Sequence, residues 1–250
     1  MNNLELRIFI ETNLLNGQSP GAISGRIEHY RKDLPNVGKD TIYRFLRSPH
    51  GKLIGMMLKT KKRPRGRKKL RKLEDRRFID QRPKIIENRG RTGDTEGDFI
   101  VSGRNGHGIL LAVTDRKLRI SYLEIIHHIS IDEVHQASLR IQKRFPEMKT
   151  LTLDNDILFR MHKTLEGLLR IKIYFCHPYH SWEKGSIENL NRYIRKYIPK
   201  GSDLSRYDNE YIKWLEIKCN ERYMKCLKYA TPEEKLKKYR ERKVRYKKTA

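Results

Sequence analysis

Gly97-Asp98-Phe99-Ile100-Val101-Ser102-Gly103-Arg104-Asn105-Gly106-His107-Gly108-Ile109-Leu110-Leu111-Ala112-Val113-Thr114 is the stretch on which the fold turns. Gly97 to Val101 reads as a strand, and Ser102 to Gly106 as a hairpin turn. Ile109 to Thr114 is an unbroken apolar run, as a central strand buried on both faces requires. Downstream, Arg119 to Ile125 alternates apolar and polar residues and reads as a third strand. Ser130-Ile131-Asp132-Glu133 is a capping box. The helix it opens places Val134, Ala137, Ile141 and Phe145 on one stripe. Thr150 to Leu153 reads as a fourth strand that ends at Asp154. Met161 to Leu169 reads as a helix, Ile171 to Phe175 as a fifth strand, and a last helix begins near Ser186, which can cap it. Three strands followed by alternating helices and strands predict an α/β core: a mixed five-stranded sheet flanked by helices on both sides.

Upstream of the sheet the composition changes. The 250-residue chain carries 56 Lys and Arg against 30 Asp and Glu, a formal net charge of +26. Such an excess points to a polyanionic partner, because phosphates release counterions when basic side chains neutralise them. Residues 59–91 are densely basic, with Lys59, Lys61, Lys62, Arg63, Arg65, Arg67, Lys68 and Lys69 interrupted by Pro64 and Gly66. Like charges at that density repel, so the stretch reads as an extended linker that orders only against DNA. A basic tail closes the chain from Lys235.

Residues 1–58 hold two helical patterns. Ser19 is a cap residue with Pro20 at the first helical position, and Ile23 and Ile27 share a face. A break at Leu34-Pro35-Asn36-Val37-Gly38 precedes Asp40 to Leu46, where Ile42, Phe45 and Leu46 pack inward. Thr41, Tyr43 and Arg44 then face outward, as a recognition helix presents its N-terminal residues to base edges. A helical hairpin without DNA contact has the same pattern. No apolar run approaches the roughly 18 residues of a membrane span. The N-terminus lacks a secretory layout. Cys176, Cys219 and Cys226 form no close pair and read as reduced thiols of a cytoplasmic protein.

Three acids stand out by position. Asp98 lies in the first strand, Asp154 just past the fourth, and Glu188 in the first turn of the last helix. On that helix Ile187, Leu190, Ile194 and Tyr197 form an apolar stripe, and Glu188, Asn191, Arg192 and Arg195 a polar one. Carboxylates held on rigid elements supply the hard oxygen ligands that Mg²⁺ requires. Taken one by one, the three are equally a surface acid, a turn acid and a helix N-terminal acid. Their spacing leaves both readings open.

The motifs around them narrow the choice. They are Glu96-Gly97-Asp98, Leu151-Thr152-Leu153-Asp154-Asn155, Tyr174-Phe175-Cys176-His177-Pro178-Tyr179 and Ser181-Trp182-Glu183-Lys184-Gly185-Ser186-Ile187-Glu188-Asn189. After them come Arg195 to Gly201, Asn220-Glu221-Arg222 and Tyr229-Ala230-Thr231-Pro232. In this order the stretch from Gly93 to Pro232 resembles the DDE transposases of bacterial insertion sequences, and within them the IS-thirty family. The resemblance implies a ribonuclease-H-like fold and a helix-turn-helix-like DNA-binding region over 1–58. It implies a basic linker over 59–91, an integrase-type catalytic core over 92–234 and a basic tail over 235–250. It implies that Asp98, Asp154 and Glu188 are catalytic and hold two Mg²⁺ ions, Mn²⁺ substituting, with carboxylates close enough to share them. Double-stranded DNA is the expected partner, contacted by Thr41, Tyr43 and Arg44 of the second helical pattern, Arg65 and Arg67 of the basic run, and Arg192 and Arg195 of the polar stripe, with a homo-oligomer assembled on it. Two departures matter: Asp156 stands where the family has a turn glycine, and Leu158 where it has an acid. The N-terminal region also looks short for the family. The alternative reading is an impaired or truncated copy that only binds DNA.

Overall fold

The computed structural model describes residues 3–48, 51, 52, 54, 76–104, 106–177 and 181–249, the side chains at 181, 182 and 246–249 apart. The chain divides into two compact units, Pro64–Cys219 and a second formed by Met1–Arg63 with Asn220–Ala250.

The first unit is built on five strands: β1 (Asp94–Val101), β2 (Ile109–Asp115), β3 (Ser121–Ile126), β4 (Thr150–Leu153) and β5 (Lys172–Phe175). They lie in the order β3-β2-β1-β4-β5. β1 and β2 pair antiparallel across the hairpin, as do β2 and β3. β4 and β5 run parallel to β1 and to each other. Parallel neighbours need crossovers. Helix α5 (Ile131–Arg144) supplies the one between β3 and β4, and α6 (His162–Leu169) the one between β4 and β5. This is the mixed five-stranded α/β sheet that the sequence patterns predict. Ser130 caps α5 as read, its Oγ accepting from the amide of Glu133 at 3.1 Å.

One face of the sheet is covered by α7 (Gly185–Ile194) and α8 (Asn209–Asn220). Ile100, Leu110, Ala112, Leu123 and Ile125 from the strands pack there against Ile187, Leu190, Tyr193, Ile194, Ile212 and Leu215. Strand alternation sends Glu96 and Asp98 to the same face as Ile100. On the opposite face Tyr122 of β3 meets Phe145 at the end of α5, ring centroids 5.4 Å apart.

Of the stretch read as a linker over 59–91, the described part begins at Arg76. Residues 55–75, Arg65 and Arg67 among them, lie outside the described residues. From Arg76 onward the chain belongs to the core, which corrects the linker reading. Phe78 bridges to Phe175, and the amide of Phe175 donates to the Arg77 carbonyl at 2.8 Å. A one-turn helix, α4 (Lys84–Glu87), follows, with Ile86 fully buried. Arg76 and Arg82 are themselves buried. The Arg76 guanidinium lies 4.1 Å above the Phe175 ring and donates to Asn155 Oδ1 at 2.9 Å. An arginine stem and a delocalised head bury readily against an aromatic ring when acceptors are at hand, and the charge run alone does not reveal this.

The second unit contains α1 (Leu4–Leu15), α2 (Pro20–Tyr30), α3 (Lys39–Arg47) and α9 (Pro232–Thr249). Leu6, Ile10, Leu14, Ile23, Ile27, Leu34, Val37 and Ile42 form its core. Ser19 caps α2 as read, accepting from the amide of Ala22 at 3.3 Å. Helix α9 opens with a capping box. Glu234 N donates to Thr231 Oγ1 at 3.1 Å, and Thr231 N donates to Glu234 Oε2 at 2.9 Å. The Glu234 carboxylate also takes both ends of the Arg26 guanidinium, at 3.0 and 2.6 Å, which ties α9 to α2. Among the described residues no helix is long and apolar enough to cross a membrane.

Candidate active site

Glu96, Asp98 and Ile100 face α7, and each meets it in a different way. Ile100 packs into the apolar stripe. Glu96 is buried, and its Oε2 accepts from the amides of Ser186 and Ile187, both at 2.9 Å. Helix α7 begins at Gly185, and no side chain of its own caps it. The expectation that Ser186 caps this helix is therefore corrected. The cap is a carboxylate from β1, where a negative charge also complements the positive end of the helix dipole. Ser186 Oγ instead accepts from Arg119. Arg116 Nε stands 3.6 Å from Glu96 Oε1 and backs the cap with a second buried charge.

Asp98 is held from both ends of the helical stripe. Asn191 Nδ2 donates to its Oδ2 at 2.7 Å, and Lys184 Nζ to its Oδ1 at 3.2 Å. Lys184 Nζ also stands 3.8 Å from Asp154 Oδ2, so one ammonium links the two aspartates. Residues 184, 188 and 191 are spaced i, i+4, i+7 and share a face. Glu188 thus lies between Lys184, the residue just before α7, and Asn191 on it, both of which grip Asp98. Burial raises the pKa of Asp98, and Asp154 adds to the rise while Lys184 opposes it. Burial pulls the Lys184 ammonium down, but Asp98 and Asp154 together hold it above its ordinary value.

Asp154 sits at the end of β4 on a loop pinned from the segment once read as linker. Arg76 bonds Asn155 Oδ1, and Asn155 Nδ2 donates to the Cys176 carbonyl at 2.7 Å. Asp156, in place of the family's glycine, caps the next turn by accepting from the amide of Leu158 at 2.8 Å.

The remaining residues singled out by sequence divide. Arg195 lies half-buried on the Asp98 side of the site. Burial lowers its pKa and Asp98 partly restores it. Arg192 is exposed on α7. In the other unit Tyr43 and Arg44 are exposed on α3 and Thr41 is half-buried, while Ile42 is buried beneath them. Glu96, Lys184 and Arg76 are the residues that the sequence reading left without a role. For Lys184 a signal existed: it lies one helical turn before Glu188.

Lys184 Nζ stands between two of the three acids, 3.2 Å from Asp98 Oδ1 and 3.8 Å from Asp154 Oδ2. Among the described residues no group of three or more His, Cys, Asp or Glu is placed to hold a metal ion. In this arrangement Lys184, not a shared ion, links the two aspartates. The donor set nonetheless fits a hard cation. One positive charge already stands between two carboxylates, and two further oxygens, Asp154 Oδ1 and Asn191 Oδ1, are buried without a hydrogen-bond donor. The Asn191 oxygen is identified by chemistry, since only the amide NH₂ can donate to Asp98.

Fold and site together define an α/β core whose mixed five-stranded sheet carries two aspartates joined by one buried lysine. The chain is 39% identical to the transposase for insertion sequence element IS4351 of Bacteroides fragilis, over 90% of this chain and 70% of that one. It is 29% identical to the transposase InsI for insertion sequence element IS30A of Escherichia coli K12, over 93% of this chain and 64% of that one. The chain belongs to this family of insertion-sequence transposases. Among solved structures, the catalytic core domain of BIV integrase aligns with 60% of this chain and 97% of its own, at a TM-score of 0.46 and 16% identity. No family model matches the chain.

Proposed function

We propose that the protein moves an insertion sequence by divalent-cation-dependent cleavage and strand transfer on double-stranded DNA, with Asp98, Asp154 and Glu188 as the ligand set. The observation that carries this reading is the pairing of Asp98 and Asp154 on one buried cation, beneath the helix that bears Glu188, in a chain of the transposase family. When bound, two Mg²⁺ ions, or Mn²⁺ in their place, supply Lewis-acid stabilisation of the oxygens that attack and leave in an in-line displacement.

The chain's own residues do the positioning. Glu96 anchors the first turn of α7, and so sets the height of Glu188 above the sheet. Asn191 fixes the rotamer of Asp98. Arg195 and Arg192 offer guanidinium groups to backbone phosphates beside the site. Thr41, Tyr43 and Arg44 address base edges, and Arg65 and Arg67 add contacts to phosphates without sequence information. A homo-oligomer on DNA would bring two element ends together.

Nicking and strand transfer on end-bearing DNA test the proposal, with wild type, Asp98→Asn and Glu188→Gln in Mg²⁺, Ca²⁺ or chelator. Wild type cuts and joins in Mg²⁺ only, Ca²⁺ being a looser fit. Both variants lose cutting and joining yet bind DNA as tightly or more tightly, because a negative charge near phosphates has gone. Cleavage in chelator, or by both variants, overturns the reading.

A further inference from the structure

Among the described residues Lys184 is the one group in ion-pair contact with both aspartates, and it is built in deeply, with 6% of its surface exposed. A lysine is seldom buried this far without a partner. Its Nζ donates to Asp98 Oδ1 at 3.2 Å and to the Gly97 carbonyl at 3.5 Å, and stands 3.8 Å from Asp154 Oδ2. Within ion-pair distance one ammonium faces two carboxylates, with the Arg195 and Arg76 guanidinium groups farther off. Asp154 Oδ1 and Asn191 Oδ1, both buried, receive no hydrogen bond. The site therefore holds more acceptor oxygens than a single ammonium satisfies. A hard divalent cation takes six or more oxygens and twice the charge, and so suits the same surroundings better.

We infer that Lys184 is a resident counter-cation, an ammonium that neutralises the acidic site and is displaced when divalent ions enter. The inference rests on the acidic-site reading above. With its ammonium against Asp98 Oδ1 and near Asp154 Oδ2, Lys184 occupies the place an entering ion would take, and at this depth its charge repels that ion with little screening. Lys184 is the residue just before α7, on a flexible four-carbon stem, so its head turns out without moving the helix that carries Glu188. Ion binding is then an exchange. The stability that Lys184 lends the empty site is given up when the ions arrive, and the affinity for free divalent ions is held down by that amount.

The test uses the full chain at pH 8, without DNA, with Mn²⁺ as the probe. Wild type, Lys184→Met, Lys184→Gln and Asp98→Asn are compared by titration calorimetry and by thermal melting in chelator and in Mn²⁺. Both Lys184 variants should melt below wild type in chelator, bind Mn²⁺ about tenfold more tightly, and gain more melting temperature from it. Equal or weaker Mn²⁺ affinity in both Lys184 variants overturns the inference and marks Lys184 as a supporter of the ion-bound state. Asp98→Asn separates the two readings. If it binds Mn²⁺ as wild type does, the acidic-site reading fails and the inference with it. If it loses Mn²⁺ while the Lys184 variants are unchanged, the inference alone fails.

Discussion

At Asp98, burial and the charge of Asp154 favour the proton while Lys184 favours its loss, so its protonation and its partners are set by one small group of side chains. His177 is a second case, outside that group. Its Nε2 lies 2.7 Å from Asp80 Oδ2 and its Nδ1 3.0 Å from Glu183 Oε1, and the ring stacks on Phe78 with centroids 5.3 Å apart. The hydrogen bond to Glu183, with the charge of Asp80 behind it, raises the imidazole above its ordinary value. A group whose folded pKa lies above its unfolded value lends stability below the unfolded value and loses it as pH rises through the folded one. The clamp between Asp80 and Glu183 is thus complete below about pH 6.5 and loosens above the raised value. An NMR titration of His177 should show that value falling in Asp80→Asn and further in Glu183→Gln. A midpoint unmoved in both variants contradicts the assignment.

Among the elements, α7 depends most on another part of the chain. Its first amides are satisfied by Glu96 from β1, and Arg116 stands behind with Nε and Nη1 buried and without a hydrogen-bond partner. Glu96→Ala removes the cap, worth about 1 kcal/mol, and leaves the Arg116 charge poorly paired, which adds on the order of 3 kcal/mol. Glu96→Gln keeps an acceptor for the helix but loses the charge, and should fall between alanine and wild type. Chemical denaturation measures the cost, and hydrogen exchange at Ser186 and Ile187 locates it. Amides there that stay protected in Glu96→Ala would show that the helix start is held by something else.

Over the whole molecule, each compact unit has its own stabilising contacts. In the helical unit Gly25 lies directly against Tyr229, and a Cβ there would come within 2.2 Å of the phenol ring. The ring is fixed further by His29, centroids 5.4 Å apart. Gly25→Ala overpacks this contact and should cost about 1–3 kcal/mol. Hydrogen exchange should quicken in α2 and at the start of α9 and stay unchanged in β1, β2 and β3. Equal loosening of the sheet would mean that the two units share their stability.

The order of strands and crossover helices was legible in the chain, because sheet and helix periodicities write the buried face into local sequence. The apolar run of β2, the alternation of β3 and the capping box of α5 all lie where they were read. The places of Asp98 within β1, Asp154 just past β4 and Glu188 near the start of α7 were legible too. Periodicity says which face is buried, not what buries it, and four features were decided only by tertiary structure. The Glu96 cap joins residues 90 and 91 positions apart, and the Lys184 bridge to Asp98 spans 86. Contacts at such separation leave no local trace, since each forms only after the crossovers have laid α7 over β1. The basic run from Arg76 was misread because charge density predicts solvation, whereas Phe175 and Asn155 supply Arg76 with a buried place. Helix α9 was read only as a basic tail, being almost wholly charged. Its first turn is held by a threonine cap and by Arg26, more than 200 residues upstream and brought near only by the folded chain.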